Sequence, residues 1–83
     1  MIHLDSLQVG ECARIVGFSR EKPAYRHKLM AMGLTRGEVI KVIRLAPLGD
    51  PIEIEVRGTA LCVRKQEAAP MLLEKVSSTV TIR

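Results

Sequence analysis

The sequence predicts a mainly β fold: a small, partly open barrel of about five short strands, with one short α-helix after the first strand and a helical turn before the last. Three features predict it: a strictly alternating segment, a helix-forming segment that ends at glycine, and turn residues between short apolar runs. The 83 residues are 47% hydrophobic but include one Phe, one Tyr and no Trp, so the core must be aliphatic. We expect a single domain over residues 1–76, followed by a tail or an extra edge strand at 77–83.

The clearest strand signal is the alternation of apolar and charged residues over positions 52–57. Because side chains in a strand project with period two, the apolar residues point to one face and the charged residues to the other. Pro51 stands where the strand begins, a position at which its missing N–H breaks no ladder bond. Gly58 permits a tight turn into a second strand over 59–64, whose Cys62 points away from the core. The two segments therefore predict a hairpin.

The first strand and the helix are predicted from the segment that precedes this hairpin. Residues 12–19, "CARIVGFS", have the composition of a short strand. Residues 24–32 are rich in helix formers, Pro23 suits the first helical turn, and Gly33 suits the left-handed residue that ends many helices. The predicted buried face of the helix has i, i+4, i+7 spacing: Tyr25, Leu29 and Met32.

The segment between helix and hairpin predicts a turn at 35–37 and a strand that runs to about residue 46. Apolar residues occupy both faces of this strand: Val39, Ile43 and Leu45 on one, and Ile40 and Val42 on the other. A strongly bent strand that is shared between two sides of a barrel explains such a pattern. We therefore expect a strongly bent strand here.

The carboxyl-terminal part of the domain completes the predicted element order. Residues 65–70, "KQEAAP", predict a single helical turn that Pro70 stops, and residues 71–76, "MLLEKV", predict the last strand. An SH3-like barrel fits this order best. An OB-fold is the second candidate, because its length and helix position fit less well.

The net charge of +4 favours an anionic partner, which could be nucleic acid, a membrane surface or an acidic protein patch. Phe18 and Tyr25 alone cannot build the stacking platform that single-stranded nucleic acid needs, so we expect no nucleic-acid partner. No apolar run approaches the roughly 18 residues that span a bilayer, and no secretory signal pattern is present. We expect a cytoplasmic protein without direct membrane insertion, in which Cys12 and Cys62 are free thiols.

Catalytic motifs are absent from the sequence, which has neither a Ser/His/Asp set with a recognisable elbow nor a GxxxxGK[ST] phosphate-binding loop. We therefore expect no enzymatic activity. The best candidate metal ligands form no pair at i, i+3 or i, i+4: His3, His27, Cys12 and Cys62. His27 also stands between two basic residues, which repel a cation. We expect no required cofactor, and the alternative is an opportunistic surface site for a divalent metal such as Fe or Zn.

The loop "APLGDP" before the alternating strand has two interpretations. As a tight structural corner, it is restricted by Pro47 and Pro51, and Asp50 hydrogen-bonds nearby backbone. As a docking element, it displays Leu48 at its tip, where burial is not obvious, and a stiff loop loses little entropy when it docks. The residues of the loop leave both interpretations open.

The stretch "GFSREKPAYRHKLMAMGLTRGEVIKVIRLAPLGDPIEIEVRG", followed by "LCVRKQEA", resembles the FeoA family, the small cytosolic proteins of bacterial ferrous iron uptake. The combination of a basic helix, "MGLTRG", "APLGDPIEIEVRG" and "VRKQEA" in that order carries the resemblance, which covers about residues 4–76. It implies an SH3-like barrel, no enzymatic activity, and action beside FeoB, a membrane Fe(II) permease with a cytosolic GTPase domain. It also implies recruitment to the inner face of the membrane by that partner, as a monomer or weak oligomer.

The chain departs from the family pattern at "EAAPMLLEKV", which has a proline and extra length, and at the tail "SSTVTIR". The same domain resembles the carboxyl-terminal barrel of iron-dependent repressors, where it follows a DNA-binding helical domain. Here the barrel begins close to Met1, which favours a stand-alone protein.

In an SH3-like barrel the loop before a hairpin is one wall of the peptide-binding face, which suggests a partner site made of this loop and the helix. The expected partner-binding residues are Tyr25, Arg26, Lys28, Met30, Arg36, Pro47, Leu48, Asp50 and Pro51. The basic members would face an acidic patch on FeoB. Two other functions stay open: a metal-binding or metal-sensing protein, and a general adaptor with another partner.

Overall fold

The computed structural model describes residues 1–76, and the tail or edge strand expected at 77–83 lies outside the described residues. The strands form one antiparallel sheet in the order β4-β3-β2-β1-β5. Their bounds are β1 Cys12–Phe18, β2 Val39–Leu45, β3 Ile52–Val56, β4 Thr59–Val63 and β5 Met71–Val76. Helix α1, Pro23–Ala31, follows β1, and the short helix α2, Lys65–Ala68, precedes β5. The predicted mainly β class and its element order are confirmed.

The hairpin of β3 and β4 has the predicted register and faces. Ile52 pairs with Val63 and Ile54 with Leu61, so the apolar side chains of both strands share one face. Ile52 and Ile54 are fully buried, whereas Cys62 is exposed on the other face. The alternation therefore identified the correct inner face.

Helix α1 ends at the glycine that the sequence indicated, by a Schellman motif. Gly33 has φ +91°, and its N–H donates to the Met30 carbonyl at 3.0 Å. The Leu34 N–H donates to the Leu29 carbonyl at 3.0 Å, and both leucine side chains are buried. This end thus places Leu29 and Leu34 together in the hydrophobic core. No helix within residues 1–76 has the length and apolar character needed to cross a membrane.

Strand β2 is buried on one face and partly exposed on the other. Ile40 and Val42 are fully buried, but Val39, Ile43 and Leu45 remain 41%, 38% and 40% exposed. The register between β2 and β3 does shift between Val42 and Arg44, so the strand is irregular as expected. No second layer covers the outer face of this strand within the described part of the chain.

The amino-terminal residues contribute to the core, which the sequence did not indicate. A 3₁₀ turn at Leu4–Ser6 buries Leu4, and Leu7 is buried directly after it. Ile2 forms an isolated bridge with Leu73 of β5, with hydrogen bonds of 2.8 Å in both directions. The largest fully buried side chains are all aliphatic: Leu4, Ile15, Leu29, Leu34, Ile40, Val42, Ile52, Ile54, Val63, Met71 and Leu73.

Candidate functional site

The loop between β2 and β3 is closed by two hydrogen bonds of its own. The Gly49 N–H donates to the Ala46 carbonyl at 2.7 Å, which makes a β-turn with Pro47 and Leu48 at its corner. At the base of the loop, the Ala46 N–H donates to the Pro51 carbonyl at 3.1 Å. Leu48 is 95% exposed at the tip. The loop is thus a structural corner that also displays an apolar side chain.

A third hydrogen bond ties the loop to α2. Asp50 Oδ1 accepts a hydrogen bond from the backbone N–H of Lys65, the first residue of α2, at 2.9 Å. Gly49 has φ +84°, and a Cβ at this position would lie 3.4 Å from Lys65 Nζ. The sequence suggested that Asp50 bonds nearby backbone, but its partner lies 15 residues further along the chain.

Helix α2 in turn contacts α1. Lys28 Nζ of α1 lies 2.7 Å from Glu67 Oε2 of α2, and Ala68 of α2 is buried in the core. Loop, α2 and α1 are therefore joined in that order by one hydrogen bond and one ion pair. Asp50 and Lys28, which belong to separate parts of the expected site, thus both contact the same short helix, α2.

The remaining expected residues of the helix and the turn after it lie on the surface. Met30 is 45% exposed, whereas Tyr25 and Arg26 are half-buried. Lys22 Nζ lies 5.7 Å from the centre of the Tyr25 ring, within the range of a cation–π contact. Arg36 is exposed and extends toward β1, where its guanidinium would lie 3.5 Å from a Cβ at Gly17.

A depression of about 360 Å³ lies at the foot of the loop, on the outer face of the sheet. Pro47 and Pro51 form one wall, and the sequence had indicated both. The other lining residues were not anticipated: Arg44, Leu45, Ala46, Glu53 and Cys62. Arg44 Nη2 and Glu53 Oε1 lie 2.6 Å apart there, without the alignment of a hydrogen bond. The outward positions of Glu53 and Cys62 in their alternating strands were the available signal.

Positive charge is concentrated around α1. Residues 20–37 contain five basic residues and one acidic residue, a net charge of +4, which equals the net charge of the entire chain. Within residues 1–76, a carboxylate pairs with only one of these five, Lys28. The other four therefore remain free to attract an anionic surface: Arg20, Lys22, Arg26 and Arg36. The excess positive charge of the chain is thus concentrated in α1 and the residues that flank it in sequence.

Metal ligands do not come together in the described part of the chain. Residues 1–76 contain no group of three or more His, Cys, Asp or Glu side chains that could hold a metal ion. Cys12 is half-buried and Cys62 is exposed, and both are free thiols. The expectation about a required cofactor stays a prediction, as does the assignment of the partner-binding residues.

The family-model match and a related protein indicate the same family for this chain. Residues 2–75 match the model of the FeoA domain. A fusion of Fe(2+) transport protein A with the Fe(2+) transporter FeoB from Porphyromonas gingivalis is 30% identical over 80 residues. The match covers 96% of this chain but 9% of the fusion protein, so this chain corresponds to a small part of that relative.

Solved structures show the same architecture. A FeoA-like protein from Clostridium acetobutylicum is 35% identical, with a TM-score of 0.84 over 93% of this chain and 88% of that one. FeoA of Stenotrophomonas maltophilia, a prokaryotic SH3 domain protein in complex with zinc, is 21% identical, with a TM-score of 0.75 over 89% and 91% of the two chains. At that identity the second likeness concerns the fold alone, and it confirms the SH3-like barrel.

Proposed function

Because this chain belongs to the FeoA family of ferrous iron transport proteins, we propose that it is a non-enzymatic accessory protein that binds the cytosolic part of a FeoB-like Fe(II) permease and organises or activates it. The P. gingivalis fusion protein supports this pairing, because a FeoA part and a FeoB part on one chain are held at high effective concentration. The S. maltophilia protein has itself been suggested as a ferrous iron transport activating factor.

The observation that carries the proposal is the exposure of Leu48 at the tip of a loop that is ordered by hydrogen bonds. A 95% exposed leucine contributes nothing to the core, and its loop is ordered by two hydrogen bonds of its own and one to α2. Burying such a side chain in a partner contributes roughly 1.5–3 kcal/mol. Because the loop is already ordered, little of this is lost to ordering on binding. Leu48 therefore has the properties of an anchor residue.

The charge around α1 supports an acidic contact surface on the partner. Arg26 and Arg36 are without a carboxylate partner among residues 1–76, whereas Lys28 is shared with Glu67. Charges at the rim of an interface mainly accelerate association and set its salt dependence. We expect the loop to provide the apolar anchor and the surroundings of α1 to provide this steering.

Calorimetric titration with the cytosolic part of a FeoB-like partner tests the proposal. Saturable binding should weaken when the ionic strength rises from about 0.01 to about 0.15 M, because the Debye length falls from about 30 to about 8 Å. Leu48→Asp should abolish binding. Val9→Asp is the matched control, because it introduces the same charge at another exposed apolar residue, 55% exposed, outside the expected site.

The intact membrane partner, with iron and guanine nucleotide present, extends the test. Binding that Leu48→Asp and Val9→Asp reduce equally would show a contact elsewhere on the protein. Absence of binding to both the cytosolic part and the intact partner would overturn the proposal and favour an adaptor for a different protein.

A further inference from the structure

We propose that Asp50 is a positioning residue: its carboxylate locks the Leu48 loop to α2, so that Leu48 and α1 reach the partner as one preformed surface. The inference rests on the proposed function, and it reassigns Asp50 from the residues expected to touch the partner. The inference is supported by the hydrogen bond that the Asp50 carboxylate already accepts from the Lys65 N–H in the folded chain.

The hydrogen bond from the Lys65 N–H to Asp50 Oδ1 gives the start of α2 an acceptor that the local sequence of the helix does not provide. The backbone N–H of Lys65 is one of the first N–H groups of α2, which have no acceptor within the helix. The side chain of Arg64, before the helix, makes no capping hydrogen bond either, and the Lys65 N–H finds its acceptor elsewhere in the chain. Asp50 Oδ1 provides it at 2.9 Å. An ionised carboxylate is also the strongest common acceptor for a backbone N–H.

The hydrogen bond between Lys65 and Asp50, called the lock below, fixes the direction of the loop. The two hydrogen bonds within the loop fix only its shape. The bonds from Ala46 to Pro51 and from Gly49 to Ala46 both lie within the loop and would survive if the loop tilted about its base. The Asp50 bond would not survive, because Lys65 belongs to a different element. Loss of this bond should therefore leave the turn intact but allow Leu48 to sample several directions.

Helix α2 is a suitable anchor because it is itself held on both sides. Ala68 is buried in the core, and Glu67 pairs with Lys28 at 2.7 Å. A loop attached to α2 is thus held in a fixed relation to α1 as well. Preformed surfaces bind more tightly, because the partner does not have to select one of several loop orientations.

Two substitutions at one position separate positioning from direct contact. Asp50→Ala removes the acceptor, whereas Asp50→Asn keeps an oxygen that can accept the Lys65 N–H but removes the charge. We expect Asp50→Ala to raise the Kd about fivefold, the change that follows from loss of a typical capping bond, and Asp50→Asn to stay within about twofold of the parent. Glu74→Ala, which removes an exposed carboxylate from β5, is the control for net charge.

Amide dynamics of the free chain provide a readout that needs no partner. In Asp50→Ala the backbone order parameters of Leu48 and Gly49 should fall from about 0.85 toward about 0.6, and the Lys65 amide should exchange with solvent about tenfold faster. Asp50→Asn should preserve both values. The order parameters of α1 should remain unchanged in both variants, which shows that the domain is still folded.

Each outcome decides one of the two proposals. If the parent protein binds no FeoB-like partner while the amide changes occur, the proposed function fails and the lock stands. If Asp50→Ala leaves the loop amides unchanged, the lock is wrong. If Asp50→Asn weakens binding as much as Asp50→Ala does, the carboxylate contacts the partner directly and the positioning role is overturned.

Discussion

Lys28 and Glu67 are 39 residues apart in sequence, and their ion pair of 2.7 Å joins helix α1 to helix α2. Lys28 is 56% exposed and Glu67 25% exposed, so water screens the pair. In a double-mutant cycle with Lys28→Ala and Glu67→Ala, we expect a coupling free energy of about 0.2–1 kcal/mol. Urea unfolding at low and high salt measures it. A coupling that high salt does not reduce would contradict a screened surface pair.

Glu11 should make folding stability depend on pH in the acidic range. The Gln8 backbone N–H donates to its carboxylate at 2.7 Å, and Lys75 Nζ lies 2.9 Å away. These groups, with the Gln8 hydrogen bond as the larger cause, lower the pKa of Glu11. Because the folded-state pKa is the lower one, the stabilisation is complete above the unfolded pKa of about 4.3 and is lost as the pH falls through the folded pKa.

The variant Glu11→Gln isolates this contribution. At about pH 7 it should melt at a lower temperature than the parent, and the difference should shrink as the pH is lowered toward about 3. Thermal unfolding followed by circular dichroism over this range measures both. Glu55→Gln on the outer face of β3 is the control, because no ion pair engages Glu55 among the described residues. A constant difference between Glu11→Gln and the parent would mean that Glu11 does not titrate as inferred.

The two faces of β2 should respond differently to the same substitution. Ile40 is fully buried and Ile43 is 38% exposed. Ile40→Ala should lower the free energy of unfolding by about 2–5 kcal/mol, because it creates a cavity in the core. Ile43→Ala should cost less than about 1.5 kcal/mol, because much of its surface is already in water. Denaturant titration of both variants tests this, and equal losses would show that a layer covers the outer face in solution.

This strand also illustrates where the sequence is insufficient. The spacing of Val39, Ile43 and Leu45 correctly places them on one face, but it does not say whether another layer of the protein covers that face. Local signals succeeded where one segment determines the result, as at Gly33, Gly58 and the alternation over 52–57. They failed for the first seven residues, because the burial of Leu4 depends on contacts with distant elements.

Some features of the candidate site could be predicted from the sequence, and others could not. The prolines and glycine of the loop predicted a stiff turn, and both the turn and the exposure of Leu48 are present. The partner of Asp50 could not be predicted, because Lys65 approaches only after β3 and β4 have folded back as a hairpin. The ion pair between Lys28 and Glu67 is hidden for the same reason. Contacts across long sequence separations depend on the tertiary fold, which local patterns do not encode.

Leu48 and Leu29 provide a matched pair that separates surface from core. Leu48 is 95% exposed and Leu29 is 1% exposed, so truncation to alanine removes the same atoms from opposite environments. Leu48→Ala should change the free energy of unfolding by less than about 0.5 kcal/mol. Leu29→Ala should reduce it by about 2–5 kcal/mol, because it leaves a cavity in the hydrophobic core.

Thermal melts report this difference directly, because about 1 kcal/mol shifts the Tm of a domain of this size by roughly 4–8 °C. We expect Leu48→Ala to melt within a few degrees of the parent and to lose affinity for a FeoB-like partner, because a leucine that is free in the folded chain is available for binding. Leu29→Ala should melt far lower. A large fall in the Tm of Leu48→Ala would show that Leu48 packs against its own protein in solution, and the anchor role would then be untenable.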